Sequence, residues 1–284
     1  MKEQSGGFFK ALKVLGSVIP GDRLKTAVYL SLVATPRRFL RKSINGFYRM
    51  DHIYEVLKEA RSLYEGKFSI LEFGVADGYS FTKKLFATRY LKLEDRVMVH
   101  GFDTFEGLPE ETGAADQALV PGEEWIKGQF RGRYAALSEH CRRKYRNFEL
   151  HRGLFEDTIT EDFLASLHEH LPILIWIDCD YYSSTKTVLE RLLPFIPSGC
   201  VFYFDDIYQN YSSRFTGEMR AVHEMNQGLF GDGLELVPDP ALTWDSNRVY
   251  RFLNVNAKLQ YQLRPDVLPT ADPVRRRRND SPLP

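Results

Sequence analysis

Short apolar runs alternate, along residues 68–253, with segments whose apolar side chains recur every three or four positions. The short runs predict buried strands, and the helical spacing predicts amphipathic helices between them. Strands that alternate with helices are typical of an α/β fold, a doubly wound sheet whose strands are mostly parallel. Strands are predicted at 68–73, 97–102, 147–151, 171–177 and 200–204, with a closing hairpin of 234–237 and 248–253.

The first 50 residues have a different pattern, which predicts a separate arm. Apolar residues recur at helical spacing from Phe8 to Ile19 and again from Leu24 to Leu32, and basic residues outnumber acidic ones by eight. This combination predicts a basic, amphipathic helical arm over residues 1–50, ahead of a globular domain at 51–256. Two roles for the arm stay open. A lid or subunit-contact arm over the catalytic domain is favoured over a peripheral anchor on a membrane surface. A subunit contact would make the protein a homo-oligomer.

The overall composition is that of an ordinary globular protein without net charge, which gives no indication of a nucleic-acid partner. Three cysteines, Cys141, Cys179 and Cys200, lack the spacing of a disulfide framework and favour a reducing, cytoplasmic compartment. No apolar run reaches the roughly 18 residues of a membrane span, and the first residues lack the design of a signal peptide. Residues 257–284, rich in Pro, Asp and Arg, predict a disordered tail, whose four arginines at 275–278 leave a nuclear or lipid-binding signal open.

Residues 70–80 combine a strand, a glycine loop and the start of a helix, which is the nucleotide-binding entry of an open α/β sheet. Gly74 and Gly78 let the backbone turn tightly and approach a ligand. Ser80 is predicted to cap the helix at 81–90. The glycine spacing differs from that of dinucleotide-binding loops. An ordinary glycine turn stays open as the alternative.

Acidic side chains around this loop indicate which ligand it would take. A pyrophosphate at this loop would face the carboxylate of Asp77, whereas Glu72 and Asp77 would both attract the amino group and sulfonium of S-adenosylmethionine, which favours that cofactor over NAD. Asp103 ends the second strand, 25 positions after Gly78, where nucleoside-binding sheets place a carboxylate for the ribose hydroxyls. A simple turn aspartate is the alternative. Phe155 is placed either against an adenine or in the core.

Four aspartates follow the ends of two consecutive predicted strands: Asp178, Asp180, Asp205 and Asp206. Because the carboxyl ends of parallel strands meet at one edge of a sheet, we expect these side chains to lie close together. Crowded carboxylates raise one another's pKa, and a divalent cation removes that repulsion. Oxygen ligands select a hard ion such as Mg²⁺, Mn²⁺ or Ca²⁺. Within the first pair one residue can bind the metal while the other serves as a base; helix-capping and turn aspartates are the alternative.

With these motifs in hand, the chain resembles the TylF-type macrocin O-methyltransferases, class I S-adenosylmethionine-dependent enzymes that methylate hydroxyls on sugars of natural products. The resemblance spans roughly residues 50–255. Its segments are LEFGV at 71–75, GYS at 78–80, GFDTFEGLP at 101–109, GLFEDT at 153–158, DCDYYSST at 178–185 and DD at 205–206.

The resemblance implies a seven-stranded, Rossmann-like methyltransferase sheet with a reversed last strand. It implies that Asp178, Asp205 and Asp206 bind the metal and that Asp180 is the general base. The implied cofactor positions are Glu72, Gly74, Gly78, Ser80 and Asp103. The chain departs from the family at Ile207, where a tyrosine is usual, and at Arg152, where a lysine is common. Neither departure removes a carboxylate, so both bear on the acceptor rather than on the chemistry.

The sequence therefore predicts a metal-dependent O-methyltransferase, with Mg²⁺ as the expected ion and a hydroxyl of a sugar or similar polyol as the acceptor. Two other classes stay open. A metal-dependent glycosyltransferase would also use an Asp-x-Asp motif, but it leaves Glu72, Asp205 and Asp206 unexplained. A non-catalytic, methyltransferase-like scaffold would bind a membrane or a partner through its basic arm.

Overall fold

The structure is a computed structural model that describes residues 51–122, 124–239, 242 and 248–267. The predicted arm and the end of the predicted tail lie outside these described residues. The described helices and strands are, in order, α1 (Asp51–Leu63), β1 (Lys67–Phe73), α2 (Tyr79–Tyr90), β2 (Val97–Asp103), α3 (Tyr134–Arg142), β3 (Phe148–Arg152), α4 (Phe155–Thr158), α5 (Glu161–Ser166), β4 (His170–Ile177), α6 (Tyr182–Leu192), β5 (Val201–Phe204), α7 (Gly217–Asn226), β6 (Leu234–Pro238) and β7 (Val249–Asn254). Short 3₁₀ turns lie at Leu193–Phe195 and Gln209–Tyr211.

These seven strands form one sheet in the order β3-β2-β1-β4-β5-β7-β6. The pairs among β3, β2, β1, β4 and β5 are parallel, whereas β7 runs antiparallel to both of its neighbours. The prediction of a doubly wound, seven-stranded and mostly parallel sheet is confirmed, and so is the pairing of the last two strands. Each predicted strand lies within two residues of an observed one.

Two apolar layers cover the sheet, one on each face. In β4, Leu174 and Trp176 belong to the layer that packs on α1 and α2, while Ile175 and Ile177 belong to the layer of α6 and α7. Because both faces of the strand are covered, a continuous apolar run is stable there. Packing on both faces holds the strands, and hence their ends, where the candidate site lies, in place.

The start of α2 corrects one prediction. The helix begins at Tyr79, its N-cap is Gly78 in the left-handed conformation, and Ser80 lies within the first turn. Ser80 therefore does not cap the helix, because its hydroxyl donates a hydrogen bond to Glu72 instead. Two helices, α4 and α5, were not predicted. They have four and six residues, too few for a helical period to appear.

The first part of the predicted tail packs against the domain. The Tyr261 hydroxyl donates to the Pro172 carbonyl at 2.5 Å, and the Tyr261 ring stacks on Tyr64 at 4.7 Å. The backbone N–H of Arg264 donates to the Leu63 carbonyl at 2.9 Å. These contacts extend the domain beyond its predicted end at residue 256, to at least Arg264. Within the described residues, no helix has the length and apolar character needed to cross a membrane.

Candidate active site

The carboxyl ends of the central parallel strands surround a cavity of about 590 Å³. Small-molecule sites usually have about 300–1,000 Å³. The strand order reverses between β1 and β4, and open α/β sheets bind their ligands at such a switch point. The predicted site residues that line the cavity are Gly74, Ser80, Asp103, Phe155, Asp178, Asp180, Asp205 and Asp206. The other two, Glu72 and Gly78, are not part of its wall.

Gly74 lets the glycine loop pass close to the end of β4. Its φ of +93° lies in the left-handed region, and a Cβ atom there would lie 1.7 Å from the carbonyl oxygen of Asp178. Only glycine fits such an approach. The same residue therefore turns the loop and brings two strand ends of the site together.

Asp103 holds the glycine loop in place from the end of β2. The backbone N–H groups of Val75 and Ala76 each donate to its Oδ2 atom at 2.7 Å, and that of Phe105 donates to Oδ1 at 2.5 Å. The side chain also lines the cavity. These hydrogen bonds agree with the interpretation of Asp103 as a turn residue. Because the side chain also lines the cavity, the predicted contact with a ribose stays open.

Glu72 does not face the cavity, in contrast to the prediction that it contacts the cofactor. Its carboxylate is fully buried, accepts the Ser80 hydroxyl and forms an ion pair with Lys84 at 2.9 Å. Burial raises the pKa of Glu72 and lowers the pKa of Lys84, and their mutual attraction opposes both shifts. The Lys84 ammonium also lies 3.8 Å from the centre of the Trp176 ring. Glu72 therefore supports the floor of the site through Lys84 and Trp176.

Asp77 and Phe155, both considered for contacts with the cofactor, also line the cavity. Asp77 forms an exposed ion pair with Arg133 at 3.0 Å, and the hydrogen bond from Arg133 lowers the pKa of Asp77. Phe155 lines the cavity and also packs edge-on against Phe73 with 5.4 Å between ring centres. Phe155 thus makes a core contact, and its position on the cavity wall leaves the predicted adenine contact open.

The structure brings Asp178, Asp205 and Asp206 together at the ends of β4 and β5. One carboxylate oxygen from each lies within 4.8 Å of the others. Asp205 is an ion-pair partner of Arg248 at 2.8 Å, so one cation of the protein already balances part of the charge. Burial and then the charges of Asp205 and Asp206 raise the pKa of Asp178 well above its usual range. Repulsion among acidic groups therefore contributes to the electrostatics of this cluster.

Asp180 lies beside this cluster in a strained backbone conformation. Its φ of +61° is rare for a residue other than glycine, and such strain persists where the surrounding structure enforces it, often at functional sites. Burial, followed by the charges of Asp178 and Asp205, raises the pKa of Asp180 to about 7. A carboxyl group with that pKa accepts a proton efficiently near neutral pH.

Glu218 is a fifth acidic residue at the cluster, and no local sequence pattern identifies it. Its side chain is buried in the first turn of α7, where Oε2 accepts the backbone N–H of Asp206 at 2.9 Å. Oε1 is buried without a hydrogen-bond partner among the described residues. Burial and the four aspartates raise the pKa of Glu218 well above its usual range. Glu218 therefore orients Asp206 while adding to the excess of acidic groups.

The long connection between β2 and α3 forms one wall of the cavity and is tied down at two points. Asp116 is buried and accepts the backbone N–H groups of Thr112 and Ser183 at 3.0 and 2.8 Å. The Asn210 side chain accepts the Leu119 N–H at 2.7 Å. The connection is thereby attached to the start of α6 and to the turn after β5.

Lys84, Glu218, Arg248 and Asp116 were missed for different reasons. A signal for Lys84 existed: it follows Ser80 by four positions, which places both side chains on one helix face toward Glu72. The other three reach the site from separate elements, and no local spacing connects them with the strand ends.

The fold and the cavity define the class of protein. A sheet with this strand order, with a glycine loop after β1 and acidic residues at the strand ends, is the fold of class I methyltransferases. The sequence profile of the macrocin-O-methyltransferase family, TylF, matches residues 34–231. The chain belongs to this family, whose members are O-methyltransferases. The match begins inside the predicted arm and ends before β6, whereas the resemblance in the sequence motifs spans roughly residues 50–255.

Two solved structures share the fold at low sequence identity. CalS11, a calicheamicin methyltransferase, is 23% identical, with 84% of this chain and 94% of that chain covered and a TM-score of 0.53. The O-methyltransferase NovP is 17% identical, with 81% of this chain and 98% of that chain covered and a TM-score of 0.56. No curated protein matches the sequence.

Proposed function

We propose that the protein is a divalent-metal-dependent enzyme that transfers the methyl group of S-adenosylmethionine to a hydroxyl of a sugar or similar polyol. The observation that carries this proposal is the approach of three carboxylates, from Asp178, Asp205 and Asp206, beside a fourth acid at the strained Asp180. Membership of the TylF family supports the methyl transfer. The neighbour CalS11, a calicheamicin methyltransferase, supports a natural-product acceptor, and the neighbour NovP supports O-methylation.

The glycine-loop side of the cavity supports binding of the methyl donor. Asp103 offers its carboxylate to the ribose hydroxyls while its backbone contacts hold the loop, and Phe155 offers an apolar wall to the adenine. Ser80 and Gly74 also line the cavity, and Gly74 lies against the Asp178 carbonyl at the end of β4. The methyl donor and the aspartates would therefore share one cavity.

The aspartate side suits a hard divalent ion. The donor set of Asp178, Asp205 and Asp206 consists of oxygen atoms, and Mg²⁺ is the expected ion because it prefers such ligands. Mutual repulsion among these groups supports the same assignment, since a bound cation neutralises it. A cation held there would lower the pKa of an acceptor hydroxyl that binds to it.

Asp180 is the residue that we assign to proton transfer. Its carboxylate lines the cavity beside the three assigned ligands, and its pKa of about 7 suits a general base. Asp180 removes the proton of the acceptor hydroxyl, and the oxygen then forms a bond to the methyl carbon while the carbon–sulfur bond breaks. Holding both substrates in one cavity contributes much of the rate, because the reacting atoms meet without a further loss of entropy.

Binding and turnover of the untagged full-length chain test this function. Calorimetry should show that S-adenosylhomocysteine binds more tightly than NAD or a nucleotide-sugar. A panel of polyol acceptors incubated with methyl-labelled S-adenosylmethionine and Mg²⁺ should give a labelled product by mass spectrometry, and EDTA should abolish it. Tighter binding of the nucleotide-sugar would favour the glycosyltransferase alternative. Full activity after EDTA treatment would contradict the metal assignment.

We also propose that the protein is located in the reducing cytoplasm and acts on a small-molecule acceptor. The three cysteines, all within the described residues, are buried and unpaired, as expected for a reducing compartment. The roles of residues 1–50, as a lid, a subunit contact or a membrane-surface anchor, stay predictions from the sequence.

A further inference from the structure

A second group of potential metal ligands lies on the sheet away from the cavity. It consists of His100 on β2 and of Glu149 and His151 on β3, which we call the edge cluster. The Nδ1 atom of His100 lies 3.1 Å from Nε2 of His151. One oxygen of Glu149 lies 3.5 Å from the first nitrogen and 3.9 Å from the second. Three potential ligand atoms from two strands thus lie within 3.9 Å of one another.

These spacings fit a shared metal ion. Zinc binds histidine nitrogen and carboxylate oxygen at about 2.0–2.2 Å in tetrahedral geometry, which places neighbouring ligand atoms about 3.3 Å apart. The three observed distances lie around that value. A direct hydrogen bond between the two rings would account for the nitrogen–nitrogen distance, but it leaves the approach of Glu149 to both nitrogens without a role.

The histidines are in the form that binds metal. Burial, followed by the neighbouring histidines, lowers the pKa of His100 to about 3, and burial lowers the pKa of His151. Both rings are therefore neutral near pH 7, as metal ligation requires. Ligation through Nδ1 of His100 and Nε2 of His151 would place each remaining ring proton on the other nitrogen.

The surroundings fix the rings and leave the cluster accessible. His151 stacks on Phe102 with 4.2 Å between ring centres, and Phe163 packs edge-on against both histidines at 5.2 and 5.4 Å. β3 is the last strand at its end of the sheet, and the Glu149 side chain is 60% exposed. An ion can thus enter from the solvent, and water can supply its remaining ligand.

We propose that the edge cluster binds a divalent transition-metal ion of the Zn²⁺ class through His100, Glu149 and His151. Imidazole nitrogen suits such ions, whereas the all-oxygen cluster of the cavity suits Mg²⁺. The protein would therefore carry two cation sites of different chemistry. Because its ligands come from two neighbouring strands, the edge site would stabilise the attachment of β3 to β2. The inference does not depend on the proposed methyl transfer.

Cobalt and zinc titrations of the untagged, EDTA-stripped chain test the proposal. Saturating Mg²⁺ is kept present to occupy the aspartates. We expect one equivalent of Co²⁺ to produce visible absorption bands, Zn²⁺ to displace it, and Zn²⁺ to raise the melting temperature. His151→Ala should abolish all three signals, and Glu149→Gln should weaken binding about tenfold or more. His168→Ala, which removes an exposed histidine elsewhere, and Asp178→Asn should leave the signals in place.

Circular dichroism of each variant separates loss of the site from loss of the fold. Since His100 is buried, the test relies on His151 and Glu149, which lie nearer the surface. Zinc binding that Asp178→Asn abolishes and His151→Ala leaves unchanged would assign the ion to the cavity and overturn the proposal. Persistence of the hydrogen bond between the two rings, seen by NMR of ¹⁵N-labelled histidines in excess Zn²⁺, would overturn it as well.

Discussion

The acidic residues on the two sides of the cavity have opposite kinds of neighbours. On the glycine-loop side, Asp103 accepts three backbone N–H groups, Glu72 is paired with Lys84, and Asp77 is paired with Arg133. At the ends of β4 and β5 the acidic residues face one another instead. These are Asp178, Asp180, Asp205, Asp206 and Glu218, with Arg248 as an ion-pair partner of Asp205.

This difference separates carboxylates that the protein's own N–H groups and cations satisfy from carboxylates that raise one another's pKa. A carboxylate already satisfied by N–H groups holds its position whether or not a ligand is bound. Crowded carboxylates keep their protons or gain a cation, because unpaired buried charges are unfavourable. We therefore expect changes on the first side to affect loop geometry and cofactor affinity, and changes on the second side to respond to metal.

The largest effect on activity is expected at the ends of β4 and β5, where Asp178 and Asp180 are assigned different roles. Asp180→Asn removes the proposed base, and general-base catalysis contributes about 10²–10⁴-fold. The kcat of this variant should fall by that factor and should not recover at high Mg²⁺. Asp178→Asn removes a proposed ligand, so its lower kcat should recover in part as Mg²⁺ is raised. The measurement is kcat against Mg²⁺ concentration for both variants.

Comparing these two variants can also contradict the assignment of ligand and base. Recovery of Asp180→Asn but not of Asp178→Asn would mean that the two roles are reversed. Binding of S-adenosylhomocysteine serves as the control, because it should persist in both variants if the two sides of the cavity act separately. Loss of that binding in either variant would remove the distinction between the sides.

A smaller effect is expected at Asp103. Asp103→Ala should weaken S-adenosylhomocysteine binding by about 1–3 kcal/mol, the usual cost of losing a hydrogen bond to a charged group. It should also lower the melting temperature, because Val75, Ala76 and Phe105 lose their acceptor. Asp103→Asn keeps an acceptor oxygen and should retain more stability. Calorimetry and thermal denaturation measure the two effects.

The affinity for Mg²⁺ is the control for this prediction. It should be unchanged in Asp103→Ala, since Asp103 belongs to the glycine-loop side. If Mg²⁺ binding weakens as much as cofactor binding, the loop and the aspartates form one coupled unit, and the comparison between the two sides does not hold.

The sequence could predict the elements that depend on the hydrophobic pattern of each segment and on the topology of the sheet. The strand at 171–177 is a continuous apolar run because both of its faces are covered, and its end locates Asp178. Asp205 ends the neighbouring strand, and a parallel sheet must bring the two ends together. The proximity of the aspartates was thus foreseeable without coordinates.

Other parts of the site depend on tertiary contacts that no local pattern contains. Ser80 has the chemistry of a cap, but the buried carboxylate of Glu72 competes for its hydroxyl. Glu218 belongs to a helix that packs on the cluster from outside the strand ends. Tyr261 lies in a polar segment that resembles a tail, yet its ring stacks on Tyr64. Each of these contacts joins residues through the fold rather than through spacing.

A further effect concerns the pH dependence of stability in the metal-free protein. The pKa values of Asp178, Asp180 and Glu218 are raised in the folded state, that of Asp180 from 3.8 to about 7. Between about pH 4 and 7 the folded chain therefore binds more protons than the unfolded chain. Where the folded state binds more protons, the free energy of unfolding falls as pH rises, so these groups should make the EDTA-treated protein less stable at pH 8 than at pH 5. Added Mg²⁺ should restore more stability at pH 8.

Glu218→Gln isolates one of these groups while keeping an acceptor for the Asp206 N–H. The neutral amide removes one charge from the crowded side and can donate to a neighbouring carboxylate. The variant should stabilise the metal-free protein at pH 8 by about 1 kcal/mol, a typical size for a single substitution, with less change at pH 5.

Denaturant unfolding at the two pH values measures this difference, and Glu235→Gln, at an exposed position on β6, is the matched control. An equal shift in both variants, or a loss of stability in Glu218→Gln at pH 8, would mean that Glu218 does not add to the crowding of charge at the aspartates.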